Sequence, residues 1–485
     1  MIALKSGADM DTGQRVPFYE QIYLAIKRDI EDGKISFGEK LPSTRLLAAN
    51  LNVSRFTVEL AYDQLVSEGY IQARAGSGFF VCDLSNLVTG ISSGEVPDQI
   101  TPTKIQEQSA VRIDFSPFEV DPLHFPYNIW KKRNREVMDE TADLLVAREA
   151  AGDPGLREAI ATYLYRARGV HCIPDQILIG AGNEYLLLLL IQILGGSCSV
   201  VMENPTYMQA YEVFCHAGCQ VRTGKMDGEG LLRSELEKAP TDVVYIMPSH
   251  QFPMGTIMPL GRRQELLDWA GAAEGRYIIE DDHDSEFRYV GRPIPSLQGR
   301  DQKDCVIYFG TFSKSISPAL RMSYMVLPKH LSERFYEQFG FYSSTVPTGQ
   351  QLAVRRFMEM GDFERHLNRM RRVYKAKHDF LLKELKKRNW VRGIRGENAG
   401  LHLVVEVDGS CSEAELIAHA RRRGVRVYGM SNYEIGHPVK TAPATLLLGF
   451  GGLSEEQLSE GLAVLDELLI HCQAAAGKER FSGQL

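Results

Sequence analysis

From residue 176 to 328 the chain repeatedly sends a short aliphatic run into a small or acidic turn: "QILIGAG", "CSVVMENP", "VVYIMPSH", "YIIEDDHD", "CVIYFGTFS" and "MSYMVLP". Runs of this length, separated by helical or loop segments, predict a mainly parallel sheet covered by helices. In such sheets the functional groups collect at the strand ends. Beyond about Val354 the pattern turns to long amphipathic helices and then to a smaller α/β unit, "AGLHLVVEVDG" through "ATLLLGFGG".

The first part of the chain has another rhythm. "PFYEQIYLAIKRDIEDG" places Phe18, Ile22, Ala25, Ile26 and Ile30 on one helical face and stops at Gly33. "LPSTRLLAANLNVSRFTVELAYDQLVSEGY" reads as two short helices capped by Ser43 and Ser54, with a turn at Asn52 and Val53 and with Val58, Ala61 and Leu65 facing inward. "YIQARAGSGFFV" adds two short β runs around a glycine turn. Helix, helix-turn-helix and hairpin make an α+β winged helix over residues 14–82. A helix fits the major groove of DNA, and a hairpin carrying Arg74 reaches the backbone or minor groove beside it. Arg45, Ser54, Arg55 and Thr57 stand where phosphate and base contacts fall. Residues 83–113 are polar, with prolines and serines, and read as an extended or mobile linker to a body over 114–475.

Composition sets the outer limits. The 485 residues allow two to four domains, and the formal charge of -7 opposes a surface that coats nucleic acid or membrane throughout, so a DNA contact has to be local. The longest apolar run, "YLLLLLIQIL", is about half a bilayer span, and the first residues lack an apolar export segment. The eight cysteines are scattered, which reads as reduced thiols in a cytoplasmic protein. Cys215 and Cys219 flank His216 without a second ligand pair, and no metal is expected.

The chemistry gathers at the strand ends. In "GTFSKSISPALRMSYMV", Lys314 follows Ser313, and Arg321 stands seven positions on. A lysine amine forms a Schiff base with an aldehyde, while Thr311, Ser313 and Arg321 are suited to a phosphate dianion. Pyridoxal 5′-phosphate (PLP) carries both groups. Asp281, ending "YIIEDD", can keep a pyridine nitrogen protonated. Gly182 and Asn183 of "GAGNE" offer N–H groups at a helix N-terminus, and Tyr207 of "ENPTY" offers a ring face. Each signal alone is weak, and their joint occurrence in this order is the argument.

The head "LPSTRLLAANLNVSRFTVELAYDQLVSEGYIQARAGSGFFV" resembles the GntR-type winged-helix DNA-binding domain. "AGDPGLREAIATYLYRARGV", "MPSHQFPMGTIMP", "IIEDDHDSEFRY" and "GTFSKSISPALRMSYMVLP" resemble the fold-type I aminotransferase domain of MocR-type regulators, most nearly the GabR-like branch. The resemblance covers nearly the whole chain. It implies a multidomain protein: a winged helix followed by an α/β PLP-binding domain with a smaller C-terminal α/β subdomain. It makes Lys314 the Schiff-base lysine, Asp281 the partner of the pyridine nitrogen, Tyr207 the stacking residue, and Thr311, Ser313 and Arg321 phosphate ligands. Pro253 and Gly255 fall in the cofactor loop. It also implies a homodimer that binds a double-stranded DNA operator with repeated half-sites and responds to a small-molecule effector.

Two departures stand out. Relatives usually have a tyrosine where His283 stands, near the cofactor's phenolic oxygen. Where relatives carry carboxylate-gripping arginines, this chain has Gln209 and, near the end, Gly452. Arg423 and Arg426 are the candidate substitutes. The expectation is a PLP-dependent transcriptional regulator that senses PLP itself, a dipeptide or an amine, but not γ-aminobutyrate. The alternative is an active aminotransferase with an appended DNA-binding head.

Overall fold

The computed structural model describes residues 17–84, 111–139, 144, 149–291, 294–408, 411–436 and 444–482. The linker expected at 83–113 lies mostly outside the described residues, as do residues 14–16. The chain divides into two compact units, residues 1–106 and 107–485.

In the first unit, α1 (Phe18–Glu31), α2 (Thr44–Leu51) and α3 (Arg55–Ser67) precede a hairpin of β1 (Ile71–Arg74) and β2 (Gly78–Val81). Ser43 Oγ accepts the Leu46 N–H at 3.2 Å and Ser54 Oγ accepts the Thr57 N–H at 3.1 Å, so both expected caps form. Between the helices Asn52 takes the left-handed conformation, φ 53°. Ile22, Ile26 and Ile30 of α1 are buried with Val58, Ala61 and Leu65 of α3. Phe18, expected on that face, is 42% exposed because it is the first residue of α1 and overhangs the core. Tyr62 is fully buried; its hydroxyl donates to the Pro42 carbonyl at 2.9 Å and its ring meets Phe79 edge-on. That contact clamps the hairpin onto α3.

The second unit is built on a seven-stranded sheet in the order 177–180, 323–326, 306–311, 277–282, 243–246, 199–203, 220–224. Strand Ser323–Val326 runs antiparallel to both neighbours, and the other pairs are parallel. The six apolar runs all become strands. The seventh, Gln220–Gly224, is an edge strand whose sequence "QVRTG" lacks a continuous apolar run, because only part of it faces the core. Helix Asn183–Ile193 carries the leucine run and buries Leu186, Leu187, Leu190 and Ile193.

Two helices, Thr348–Glu359 and Asp362–Leu385, lead to a four-stranded antiparallel sheet ordered 391–395, 402–407, 445–449, 428–429. This is the smaller α/β part. Its helix Glu413–Arg422 starts at a capping box between Ser412 and Glu415. Cys411, just before that cap, is disulfide-bonded, which corrects the expectation that every cysteine is a reduced thiol. Cys215 is an exposed free thiol, and Cys219 approaches Cys198 at 3.5 Å rather than His216. Among the described residues no helix is long and apolar enough to cross a membrane.

Candidate functional site

A cavity in the larger unit is lined by the ends of strands 277–282 and 306–311, by the start of helix Asn183–Ile193, and by Pro117 and Phe118. Gly182, Asn183, Tyr207, Asp281, His283, Thr311, Ser313, Lys314 and Arg321 all line it. Sequence reasoning selects these nine from four separate segments, and the fold brings them together. Parallel pairing of 277–282 with 306–311 sets Asp281 opposite Phe309, so the turn carrying Lys314 leaves the sheet beside the aspartate.

Lys314 Nζ donates to the Pro117 carbonyl and lies 5.1 Å from the Phe118 ring centre. Burial lowers its pKa to about 8, against the opposing pull of Asp284 and Glu119. The amine is therefore far closer to its neutral, nucleophilic form at physiological pH than a surface lysine.

Asp281 is 4% exposed. It accepts the Tyr245 hydroxyl and stands 3.4 Å from Asn183 Nδ2. Burial raises its pKa, with His283 and Tyr245 opposing the rise. The next residue, Asp282, points to the other side of the strand, where Arg168 Nε and the Tyr308 hydroxyl both reach its Oδ2 at 2.7 Å. Alternation along the strand thus assigns one carboxylate to the cavity and the other to the scaffold.

Thr311, Ser313 and Ser323 form a hydroxyl cluster: Thr311 Oγ1 donates to Ser313 Oγ and accepts from Ser323 Oγ, each at 3.0 Å. Arg321 sits in a left-handed turn, φ 48°, and donates through Nη2 to Glu184 Oε2 at 2.8 Å. Gly182 has φ 106°, and a Cβ there would lie 2.4 Å from Arg321 Nη2. Only glycine leaves this backbone bare. A bare helix start, a guanidinium and three hydroxyls fit a phosphate, and the Oδ1 of Asn183 is buried without a partner. The residues present fit PLP.

Sequence reasoning misses a group behind His283. His250 Nδ1 is 3.0 Å from Asp284 Oδ2, and His283 Nε2 is 3.4 Å from the same oxygen. His402 Nε2 faces the Pro253 carbonyl at 2.8 Å, which makes it the donor there, and its ring centre is 5.5 Å from that of His250. Burial, then the neighbouring His250, drives the His402 pKa down to about 3, so it stays neutral. For His283 burial acts downward, but Asp284 and Asp281 prevail and its pKa is raised. His250, His283 and Asp284 offer ligand atoms within 4.8 Å of one another; His250 Nδ1 bonds Asp284, while His250 Nε2 and His283 Nε2 make no hydrogen bond. Asp284 is legible beside His283, whereas His250 and His402 arrive from distant loops.

Pro253 and Gly255 do not line the cavity; their loop contributes Phe252 instead. Gly255 has φ 71° and packs its Cα side on Gly396, so its role is loop closure. Gln209 lines the wall, while Gly452 packs against Glu119 and does not. Arg423 pairs with Glu467, and Arg426 lies 3.5 Å from Asp114. Neither reaches the cavity, so neither replaces a carboxylate clamp. Among the described residues Arg321 is the guanidinium on its wall.

In the smaller unit Arg45, Ser54 and Arg55 are exposed, and Arg55 Nε pairs with Glu59 at 2.8 Å. Thr57 is half-buried and bonds Ser54 Oγ at 2.7 Å, so both hydroxyls are engaged in capping. Arg74, on the hairpin, stacks over Phe80 at 4.6 Å. Phe56, unmentioned by any sequence argument, is 68% exposed at the start of α3.

A lysine beyond one strand, sharing a cavity with an aspartate at the end of the neighbouring strand in a sheet with one reversed strand, is the arrangement of a PLP-dependent fold-type I aminotransferase domain. Here it is joined to a winged helix. Residues 18–81 match the gntR family of bacterial regulatory proteins, and residues 119–465 match aminotransferase class I and II. The chain is 40% identical over 454 residues to the HTH-type transcriptional regulator YdeL of Bacillus subtilis, covering 93% of this chain and 96% of that protein. It is 30% identical over 470 residues to the regulatory protein MocR of Rhizobium meliloti, covering 93% and 94%. The protein therefore belongs to the HTH-type transcriptional regulators that join a gntR head to an aminotransferase class I and II domain. Among solved structures it is similar to the α-aminoadipate aminotransferase LysN of Thermus thermophilus, with TM-score 0.67 and 26% identity over 78% of this chain and 96% of that one.

Proposed function

We propose that this regulator holds PLP on Lys314 and reports the arrival of an amine, or of PLP itself, to operator DNA. One observation carries the reading: a single cavity brings together a buried amine with its pKa lowered to about 8, a buried aspartate, and a glycine-backed guanidinium with three hydroxyls.

When bound, PLP supplies an aldehyde carbon that amines attack and a ring that withdraws electrons. The protein does the rest. Thr311, Ser313, Arg321 and the start of helix Asn183–Ile193 hold the phosphate; Asp281, braced by Tyr245 and Asn183, keeps a proton on the ring nitrogen; Tyr207 covers the ring face. Lys314, whose Nζ now donates to the Pro117 carbonyl, would hold the aldehyde. His283 stands where a tyrosine is common and offers a proton to the phenolic oxygen, with Asp284 supporting its charge.

The effector expected is one without a carboxylate that needs an arginine clamp, since Gln209 and Gly452 cannot grip one and Arg423 and Arg426 lie elsewhere. Two bodies pair as a homodimer, so that two heads meet two half-sites and their contacts reinforce each other. The test is hydride reduction of protein incubated with PLP, followed by peptide mass spectrometry. A pyridoxyl group on Lys314 is expected, and its absence defeats the reading. Tight binding of γ-aminobutyrate by calorimetry would defeat the effector class.

A second reading, an aminotransferase that turns over, is favoured by the Lys314 pKa, which suits a general base. A panel of amines, followed by detection of pyridoxamine phosphate, separates the two. The regulatory reading predicts none accumulating.

A further inference from the structure

We infer that Glu184 is a built-in competitor anion that occupies Arg321 and must be exchanged for the cofactor's phosphate, an inference that rests on the PLP-binding reading above. Glu184 lies in the first turn of helix Asn183–Ile193, whose cap, Gly182, supplies no side-chain acceptor. The positive end of the helix favours a carboxylate there. Its Oε2 accepts from Arg321 Nη2 at 2.8 Å. A Cβ at Gly182 would lie 2.4 Å from that guanidinium and 2.8 Å from that carboxylate, so the ion pair is folded directly over the bare backbone. Glu184 also acts on the Tyr207 phenol: its charge adds to burial in raising that pKa. Helix start and guanidinium are groups expected to receive a phosphate, and the carboxylate already stands between them.

Charge makes the two anions mutually exclusive. A phosphate dianion brought to Arg321 beside an ionised Glu184 leaves one cation facing three negative charges, and like charges at hydrogen-bond distance repel even where solvent reaches the pair. The hydroxyls of Thr311, Ser313 and Ser323 carry no charge to offset this. Glu184 has solvent to swing into, with 36% of its side chain exposed. Phosphate binding is therefore an exchange on Arg321, in which the carboxylate leaves as the phosphate arrives. The exchange weakens cofactor binding below what the seat could give and keeps occupancy responsive to cofactor concentration, as suits a regulator.

The full chain and its Glu184→Gln variant are titrated calorimetrically at neutral pH and low salt, first with inorganic phosphate, then with PLP. The amide keeps the size and removes the charge, so the variant is expected to bind both ligands at least about tenfold more tightly. Glu184→Ala is expected to shift affinity in the same direction, and adding Arg321→Ala to Glu184→Gln to abolish the gain. Equal or weaker binding by Glu184→Gln overturns the proposal and makes Glu184 a positioning residue for Arg321; failure of either protein to bind phosphate overturns it too. Hydride trapping on the same samples separates the two readings. A missing pyridoxyl group on Lys314 with the phosphate ratio intact defeats PLP binding but leaves the anion exchange standing.

Discussion

Asp284 Oδ2 lies 3.0 Å from His250 Nδ1, a contact between the loops that follow two neighbouring strands, 243–246 and 277–282. The same carboxylate faces His283. His283 and His402 line the cavity, and Asp284 favours the charged form of His283.

Asp284→Asn is expected to lower the His283 titration midpoint, because Asp284 is the chief influence raising it. Imidazole resonances followed by NMR check the shift. Asp284 itself is held well below its ordinary value of 3.8; burial opposes this, and His250 and His283 outweigh it. Its contribution to stability is thus complete above that ordinary value and lost as pH falls through the depressed one. Removing one partner of a buried charged group costs about 3–5 kcal/mol, so the variant should be less stable near neutrality and show less added loss in acid. If PLP is bound, its absorbance should titrate differently in His283→Tyr between about pH 5 and 9.

Lys314→Met is expected to eliminate the hydride-trapped adduct and to stabilise the protein at neutral pH. A lysine whose pKa falls from 10.5 to about 8 on folding is a net cost while protonated. That cost fades as pH rises from the folded value toward the unfolded one. The variant's advantage, on the order of 1–3 kcal/mol, should therefore shrink between about pH 8 and 10.5, as measured by urea denaturation.

Tyr245→Phe removes the hydroxyl that Asp281 accepts. A buried hydrogen bond to a charged group contributes about 1.5–3 kcal/mol, and without it the Asp281 carboxyl should titrate still higher. Thermal unfolding checks the first effect, and weakened PLP binding at constant phosphate affinity checks the second.

Arg55→Ala is expected to weaken operator binding by about 1–3 kcal/mol if Arg55 reads a base, or to reduce the salt slope by about one if it meets a phosphate. Folding stability should change little, since Arg55 and Glu59 are both exposed. Glu59→Gln frees Arg55 and should strengthen DNA binding. A fluorescence anisotropy titration at several salt concentrations distinguishes these outcomes.

The caps at Ser43 and Ser54, the inward face of α3 and the six apolar strands are all readable along the chain. So are nine cavity residues, each next to its own strand or helix end. The reversal of strand 323–326 is not, and neither is the edge strand 220–224, since the apolar content of a run does not say which neighbour it pairs with. The candidate substitutes for the missing clamp fail for the same reason: Arg423 and Arg426 belong to a part of the fold that turns them toward Glu467 and Asp114.

Periodicity, caps and turn residues act over one or two turns of backbone, so a linear chain records them, and with them the head, the sheet and the lysine-bearing turn. The company those residues keep is different. His402 meets the Pro253 carbonyl across 149 positions, and Lys314 meets that of Pro117 across 197. Such meetings follow from strand order and from the loops that close over the strand ends, which are settled by burying the whole core at once. That is why Lys314 stands out in the linear chain, while its lowered pKa, the histidine group behind it and the carboxylate on Arg321 belong only to the packed molecule.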